Sequence, residues 1–233
     1  MFLRTLAVWA LGIPVTMVFC FIIFLSALAD RTGSAAHTAA AIWCRVVLFL
    51  AGVKVSVEGV EKIPRGAPVL FLSNHQGAFD IPALQSSVPA QFRWVAKKSL
   101  FKIPLIGWSM YLSGYIGVKR ESATESYKSM EKAAAKIRGG TSVMIFPEGT
   151  RSDTGELLPM KRGAFVLASR SGAPIVPIAI NGTKDILKRG GFWIRPCRVT
   201  IRIGDPIPTE GVEEKELRPK TRETIAKMLS GMK

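Results

Sequence analysis

The distribution of apolar and polar residues divides the chain into two parts. Residues 5–29 contain no charged side chain. As a helix they would reach roughly 37 Å, against about 30 Å for a bilayer core, so they could span a membrane or lie tilted in it. Residues 35–53 are also apolar but include Arg45, which costs about 2.5–3.5 kcal/mol on insertion scales and disfavours a simple span. We predict that residues 1–53 form a helical hairpin that dips into one leaflet or anchors the chain at a membrane.

A cleaved signal peptide is the alternative interpretation of the first segment. Arg4 would supply its basic region, and Ala27-Leu28-Ala29 would supply its cleavage site. The uncharged run of 25 residues is, however, well beyond the usual apolar core of a signal peptide, which is about 7–15 residues long. The length therefore favours an anchor that stays in the protein.

From residue 54 onward, short apolar runs alternate with amphipathic stretches. The apolar runs predict strands, at residues 55–59, 67–72, 92–95, 114–118, 142–146, 175–180 and 199–203. The amphipathic stretches predict helices, at residues 122–138, 161–171 and from 212 onward, with Pro219 as a candidate break in the last. This alternation is typical of an α/β domain, and over residues 54–233 we predict a mixed, largely parallel sheet flanked by helices.

Charge narrows the class of partner. The net charge is +15, and residues 1–60 hold four basic and two acidic side chains, so the remaining residues carry +13. A basic body beside an apolar anchor suits anionic lipid headgroups or phosphorylated substrates. We predict no nucleic-acid partner, because the sequence contains no recognisable nucleic-acid motif and such a partner would leave the apolar segments unexplained. Two histidines exclude a multi-histidine metal site, and the spacing of the three cysteines indicates inert thiols.

His75 and Asp80 are the first candidates for chemistry. On one continuous helix, five steps of about 100° would leave them about 140° apart, so they pair only if the chain turns between them. Gly77 permits that turn. We expect His75 at the end of a strand and Asp80 in the first turn of the next helix, where the carboxylate would fix the His75 tautomer. The chain has no Gly-x-Ser-x-Gly elbow, so the base would deprotonate a group brought by the substrate. By spacing alone, a purely structural pair is equally compatible.

A second motif, Phe-Pro-Glu-Gly-Thr-Arg-Ser at residues 146–152, directly follows a predicted strand. Glu148 and Arg151 would lie at the carboxyl edge of the sheet, where open α/β sheets bind ligands, and Gly149 allows a tight backbone. In isolation, a surface salt bridge in a turn explains the motif equally well.

A third motif, Gly-x5-Arg, ends at Arg120, directly after Lys119. Arginine is suited to bidentate phosphate binding, although a solvated basic turn is an equal alternative.

The order of these motifs resembles that of the glycerolipid acyltransferase family. In order they are Asn-His-x4-Asp, Gly-x5-Arg, Phe-Pro-Glu-Gly-Thr-Arg-Ser and Val-Pro-Ile, within residues 73–180. Gly117 and Lys119 depart from the family pattern, in which many members have an aromatic or aliphatic residue and an aspartate. The resemblance implies transfer of a fatty acyl group from an acyl-CoA or acyl-carrier-protein thioester to the sn-2 hydroxyl of 1-acyl-glycerol 3-phosphate, which gives phosphatidate.

The resemblance also implies roles for individual residues. His75 would act as the general base and Asp80 would orient it, without an acyl-enzyme. The acceptor and its phosphate would be held by residues of the second and third motifs and by a lysine downstream of them, namely Arg120, Glu148, Gly149, Thr150, Arg151 and Lys161. Donors to the oxyanion would come from Lys97, Lys98 or backbone N–H groups near Gly149. No metal or prosthetic cofactor would be required.

Because the thioester donors are cytosolic, we expect the site on the cytoplasmic side of a bacterial inner membrane, with membrane lipids and possible acyl carrier protein as partners. Three alternatives stay open: another acceptor, either a different lysophospholipid or glycerol 3-phosphate; a hydrolase that releases free fatty acid; and an inactive lipid-binding membrane protein.

Overall fold

The fold was analysed in a computed structural model, which describes residues 2–119 and 122–232. The helices are α1 (Phe2–Ala29), α2 (Ser34–Ala51), α3 (Asp80–Ser87), α4 (Ile106–Leu112), α5 (Ala123–Arg138), α6 (Gly163–Ser171) and α7 (Glu214–Ser230). The strands are β1 (Lys54–Glu58), β2 (Leu70–Ser73), β3 (Phe92–Lys97), β4 (Ile116–Val118), β5 (Ser142–Ile145), β6 (Ile175–Asn181) and β7 (Arg198–Ile203).

The strands of this described part form one sheet in the order β1-β7-β6-β2-β5-β3-β4. Neighbouring strands from β6 to β4 are parallel, whereas β7 runs antiparallel to β6 and β1 runs parallel to β7. This topology confirms the predicted mixed, largely parallel sheet with flanking helices. The carboxyl ends of β6, β2, β5, β3 and β4 consequently lie at one edge.

The central strands are buried on both faces, as a parallel sheet covered by helices requires. Alternate side chains enter different apolar clusters. Phe71 of β2 packs in the cluster that also contains Val8 and Leu48 of the N-terminal helices. Leu70, its neighbour, packs with Phe165 of α6 in the cluster on the other face. The hairpin helices thus cover one face of the sheet together with α3, and they share its core.

Helix α1 presents an apolar surface along its whole length. Both α1 and α2 are long and apolar enough to cross a membrane by length and composition. Large side chains on α1 are exposed from one end of the helix to the other, including Leu3 at 80% and Leu28 at 70%. A surface of this kind is characteristic of contact with lipid or protein rather than with water. The two N-terminal apolar helices that the sequence predicts are therefore present.

Two features differ from the sequence-based expectation. Helix α4 and the short 3-10 turn before it, Lys98–Lys102, were not predicted. The apolar side chains of this segment, among them Trp108 and Tyr111, are exposed and so do not follow the period of a buried helix face. Helix α7 is continuous through Pro219. That proline lies in the second turn, so it costs the helix few backbone hydrogen bonds, and buried Leu217 and Ile225 hold the helix against the core.

Candidate active site

The candidate site lies where the parallel strands end. His75 follows β2 by two residues, Glu148 follows β5 by three, and Lys97 is the last residue of β3. Leu72 of β2 is paired with Ile145 of β5. His75 and Glu148 each lie three residues beyond this pair, so they are at the same level at the end of the sheet. Ligands of open α/β sheets bind at this carboxyl edge.

His75 and Asp80 form the hydrogen-bonded pair at the centre of this edge. Asp80 is the first residue of α3, and its Oδ2 lies 2.6 Å from His75 Nδ1. Because an ionised carboxylate only accepts hydrogen bonds, Nδ1 carries the proton and Nε2 has the free lone pair. No hydrogen bond to Nε2 is found within the described residues. The pair thus bridges a strand end and a helix start, as the turn at Gly77 led us to expect.

Asp80 is completely buried and its carboxylate is saturated with donors. Oδ2 also accepts the backbone N–H groups of Gln76 at 2.6 Å and Gly77 at 2.9 Å. Oδ1 accepts the hydroxyl of Thr183, which follows β6. A buried carboxylate held by donors on both oxygens stays in one orientation.

The turn between His75 and Asp80 can approach the backbone of Thr183 closely only because residue 77 is glycine. A Cβ at this position would lie 2.7 Å from the backbone oxygen of Thr183, which is a distance that real Cβ atoms do not adopt. The turn between His75 and Asp80 therefore packs directly against the turn that follows β6.

One face of the His75 ring packs against a stack of aromatic side chains. It stacks on Phe146 with 3.9 Å between centroids and 6° between planes, and Phe146 stacks in turn on Trp94 at 5.3 Å. The indole N–H of Trp94 donates to Gln85 of α3 at 2.6 Å. These contacts cover one face of the imidazole and leave its side chain 11% exposed. Sequence reasoning missed this support, although Phe146 opens one of the motifs.

Glu148 is hydrogen-bonded to the backbone of His75 and not to its ring. It is 2% exposed, and its two oxygens accept the backbone N–H groups of His75 at 2.8 Å and Leu158 at 2.9 Å. Burial raises the pKa of Glu148 to about 7, with the nearby charge of Asp80 adding to the rise and the two hydrogen bonds opposing it. Glu148 therefore fixes the backbone of the His75 turn. Its predicted contact with the acceptor stays a prediction.

The turn after β5 carries the remaining motif residues. Gly149 has φ +71°, and its N–H donates within the turn to Phe146 O at 3.0 Å. Lys161 packs its side-chain carbons against Gly149. Thr150 is exposed and Arg151 is half-buried. Because its N–H already has an acceptor in the turn, Gly149 itself is a weak candidate for an oxyanion donor.

Further basic residues lie at the ends of the neighbouring strands. Lys97 and Lys98 are exposed at the end of β3, and Lys119 after β4 is 3.5 Å from Glu125. Arg120 lies outside the described residues. The edge around His75 is thus basic on the side of β3, β4 and β5, as an anionic ligand would require. Within the described part of the chain, no group of His, Cys, Asp and Glu side chains is suited to hold a metal ion.

Comparison with known proteins identifies the family. Residues 54–181, more than half of the chain, match the family model described as Acyltransferase. The chain belongs to this acyltransferase family. The matched range contains His75, Asp80 and the 146–152 motif, which confirms the resemblance seen in the sequence.

Several curated relatives carry the name 1-acyl-sn-glycerol-3-phosphate acyltransferase. The chloroplastic protein of Arabidopsis thaliana is 35% identical over 73% of this chain and 48% of its own length. The alpha form of Homo sapiens is 34% identical over 71% and 59%, and the Saccharomyces cerevisiae protein is 35% identical over 74% and 57%. The chain thus spans about half the length of the curated relatives that it matches.

A solved structure shares the complete fold. The crystal structure of the 1-acyl-sn-glycerophosphate acyltransferase of Thermotoga maritima superposes with a TM-score of 0.85, at 24% identity, over 99% of this chain and 95% of that one. The shared architecture includes the N-terminal helix pair, because the aligned part leaves almost none of this chain out.

Proposed function

We propose that this acyltransferase moves a fatty acyl group from a thioester, acyl-CoA or acyl-carrier protein, to the sn-2 hydroxyl of 1-acyl-glycerol 3-phosphate. The observation that carries the proposal is the His75–Asp80 pair, in which Nδ1 is bound to a fully buried carboxylate and Nε2 has no partner among the described residues. The names of the curated relatives support the acceptor.

In this mechanism the acceptor supplies the nucleophile. Nε2 of His75 takes the proton of the hydroxyl as the oxygen attacks the thioester carbonyl, and Asp80 stabilises the imidazolium that forms. The carbon–sulfur bond then breaks, and the imidazolium returns its proton to the leaving thiolate. The chain's own residues suffice for proton transfer and charge stabilisation, and we propose that no prosthetic cofactor takes part.

Direct transfer, without an acyl-enzyme, is favoured by the state of the nearby serines. Ser73 is fully buried and its hydroxyl donates to Asn74 O at 3.1 Å. Ser152 is 2% exposed, and its hydroxyl accepts the N–H of Gly155 at 3.1 Å. Neither hydroxyl is bonded to His75, so neither is prepared as a nucleophile in the manner of a hydrolase triad.

The acceptor phosphate requires cations that are not already neutralised. Other arginines are engaged in ion pairs with carboxylates, namely Arg162, Arg170, Arg189 and Arg202. Arg151, which lies in the 146–152 turn, and Lys161, which packs against Gly149 of that turn, make no ion pair within the described residues. We therefore assign the phosphate to Arg151 and Lys161, and on the family pattern also to Arg120. Lys97 and Lys98 are our candidates for stabilising the oxyanion.

The membrane-facing side is proposed from the exposed apolar surface of α1. Helix α1 contacts the α/β domain near both of its ends. Trp9 donates to Phe192 O at 3.0 Å and stacks on its ring, whereas Ile23 packs with a cluster that includes Leu112 of α4. A helix held along the body in this way would lie in one leaflet rather than cross it. Both substrates carry acyl chains, which such a position would bring to the site.

We place this leaflet on the cytoplasmic side of a bacterial inner membrane, because acyl thioesters are cytosolic. Acyl carrier protein is a possible partner as the donor.

An acceptor panel and a rapid-quench experiment test the proposal. Purified protein would be mixed with acyl-CoA and either lysophosphatidate, glycerol 3-phosphate or another lysophospholipid. We expect the highest kcat/KM with lysophosphatidate and no burst of acylated protein. Preference for another acceptor would reassign the substrate, and a burst would refute direct attack.

A further inference from the structure

Asp80 receives a hydrogen bond from a residue that no motif contains. Thr183 is fully buried, and its hydroxyl donates to Asp80 Oδ1, the oxygen that does not face His75. The two residues are 103 positions apart. Thr183 lies in the turn after β6, whereas His75 and Asp80 flank the turn after β2.

The fold holds Thr183 in this position through contacts at neighbouring residues. The side chain of Asn74 ties β2 to β6 with two hydrogen bonds, donating to Ile180 O at 2.9 Å and accepting Ile180 N–H at 2.8 Å. The turn at Gly77 then packs against the backbone oxygen of Thr183. Thr183 thus lies next to Asp80 because β2 and β6 are neighbours and the turns that follow them pack together.

A carboxylate needs such a fixed donor because its terminal torsion is broad and roughly two-fold. The backbone N–H groups on Oδ2 fix one end of the group, and the Thr183 hydroxyl fixes the other.

We propose that Thr183 is a positioning residue for the acyl transfer and acts through Asp80. It touches neither substrate nor the reacting atoms. The hydroxyl holds the carboxylate in the plane that presents Oδ2 to His75 Nδ1. This inference rests on the proposed roles of His75 and Asp80.

The test compares Thr183→Val, which keeps the shape and removes the donor, with Thr183→Ser, which restores a hydroxyl. Thr209→Val is the matched control. Thr209 is 2% exposed and donates to Ala173 O at 3.0 Å, at the opposite end of β6. The steady-state kinetics of thiol release would be measured for all three variants, with kcat and the KM of each substrate determined separately.

For Thr183→Val we expect kcat to fall about tenfold, with the KM of both substrates within about twofold of wild type. Thr183→Ser should recover most of kcat, and Thr209→Val should retain the wild-type kcat.

Three results would overturn the proposal: a wild-type kcat in Thr183→Val, equal losses in Thr183→Val and Thr209→Val, or no recovery in Thr183→Ser. If Thr183→Val does not fold, Thr183→Ala, which also lacks the hydroxyl, replaces it under the same expectations. Failure of the proposed function is recognised separately, by near wild-type turnover in His75→Ala.

Discussion

Replacing Asp80 with asparagine should separate the charge of this residue from its structural role. In the wild type, Oδ2 accepts His75 Nδ1–H and the backbone N–H groups of Gln76 and Gly77. An asparagine NH2 group at that place would face these donors, so the amide oxygen has to occupy it. The NH2 group then points at Thr183, whose hydroxyl can rotate and accept. Asparagine should therefore fit and preserve the His75 tautomer, without the negative charge.

The expected loss of activity follows from that charge. A carboxylate and an imidazolium with charge centres about 4 Å apart interact by about 4 kcal/mol at an effective dielectric constant of 20. The amide oxygen keeps part of this as a neutral hydrogen bond, so a loss of about 3 kcal/mol is expected. Each 1.36 kcal/mol is about a factor of ten in rate, so kcat should fall roughly 150-fold.

The assay is thiol release from acyl-CoA in the presence of lysophosphatidate, combined with thermal unfolding followed by circular dichroism. Asp80→Asn should have a melting temperature close to that of the wild type. Asp80→Ala should melt much lower, because it leaves buried N–H groups without an acceptor. Asp205→Asn is the control, since Asp205 is 83% exposed and pairs with Lys62 on the surface. Wild-type kcat in Asp80→Asn, or a melting temperature as low as that of Asp80→Ala, would refute the reasoning.

Two further predictions concern the turn after β5. Arg151→Ala should raise the KM for lysophosphatidate about tenfold with little change in kcat, whereas Arg162→Ala, which breaks a surface ion pair with Glu214, should change neither; an unchanged KM in Arg151→Ala would remove Arg151 from the phosphate site. Folding raises the pKa of Glu148 from 4.5 to about 7. The folded protein therefore binds an extra proton between these values, and stability should fall as pH rises through that window. Urea unfolding at several pH values should show that the free energy of unfolding falls between these pH values in the wild type and falls less in Glu148→Gln. An equal fall in both proteins would contradict this prediction.

The sheet could be predicted because its strands carry the required pattern. The strands β2, β5 and β6 are mostly apolar runs of strand length, and Asn74, Pro147 and Gly182 respectively follow within two residues of their ends. Helix α4 escaped prediction because its apolar residues, such as Trp108, are exposed. Apolar residues in a sequence indicate burial only if the exposed surface of the protein faces water. The inference fails at a surface that is suited to lipid.

The site was predictable only where its contacts are local. His75 and Asp80 are five residues apart, and Gly77 between them indicates the turn. Thr183 could not be inferred, because its hydrogen bond to Asp80 depends on the adjacency of β2 and β6. The same holds for Glu148. Its motif was recognised, but the pairing of β2 with β5 decides that its carboxylate accepts the N–H of His75. A systematic search for polar residues just after predicted strands would have added Thr183 to the candidates.

The most direct test of the central claim is thiol release from acyl-CoA by the purified protein with and without lysophosphatidate, in the wild type and in His75→Ala. The account predicts that wild-type release requires lysophosphatidate and matches the phosphatidate formed. It also predicts that His75→Ala stays folded while its turnover falls about a thousandfold or more. Thiol release without lysophosphatidate, or near wild-type turnover in folded His75→Ala, would contradict the account.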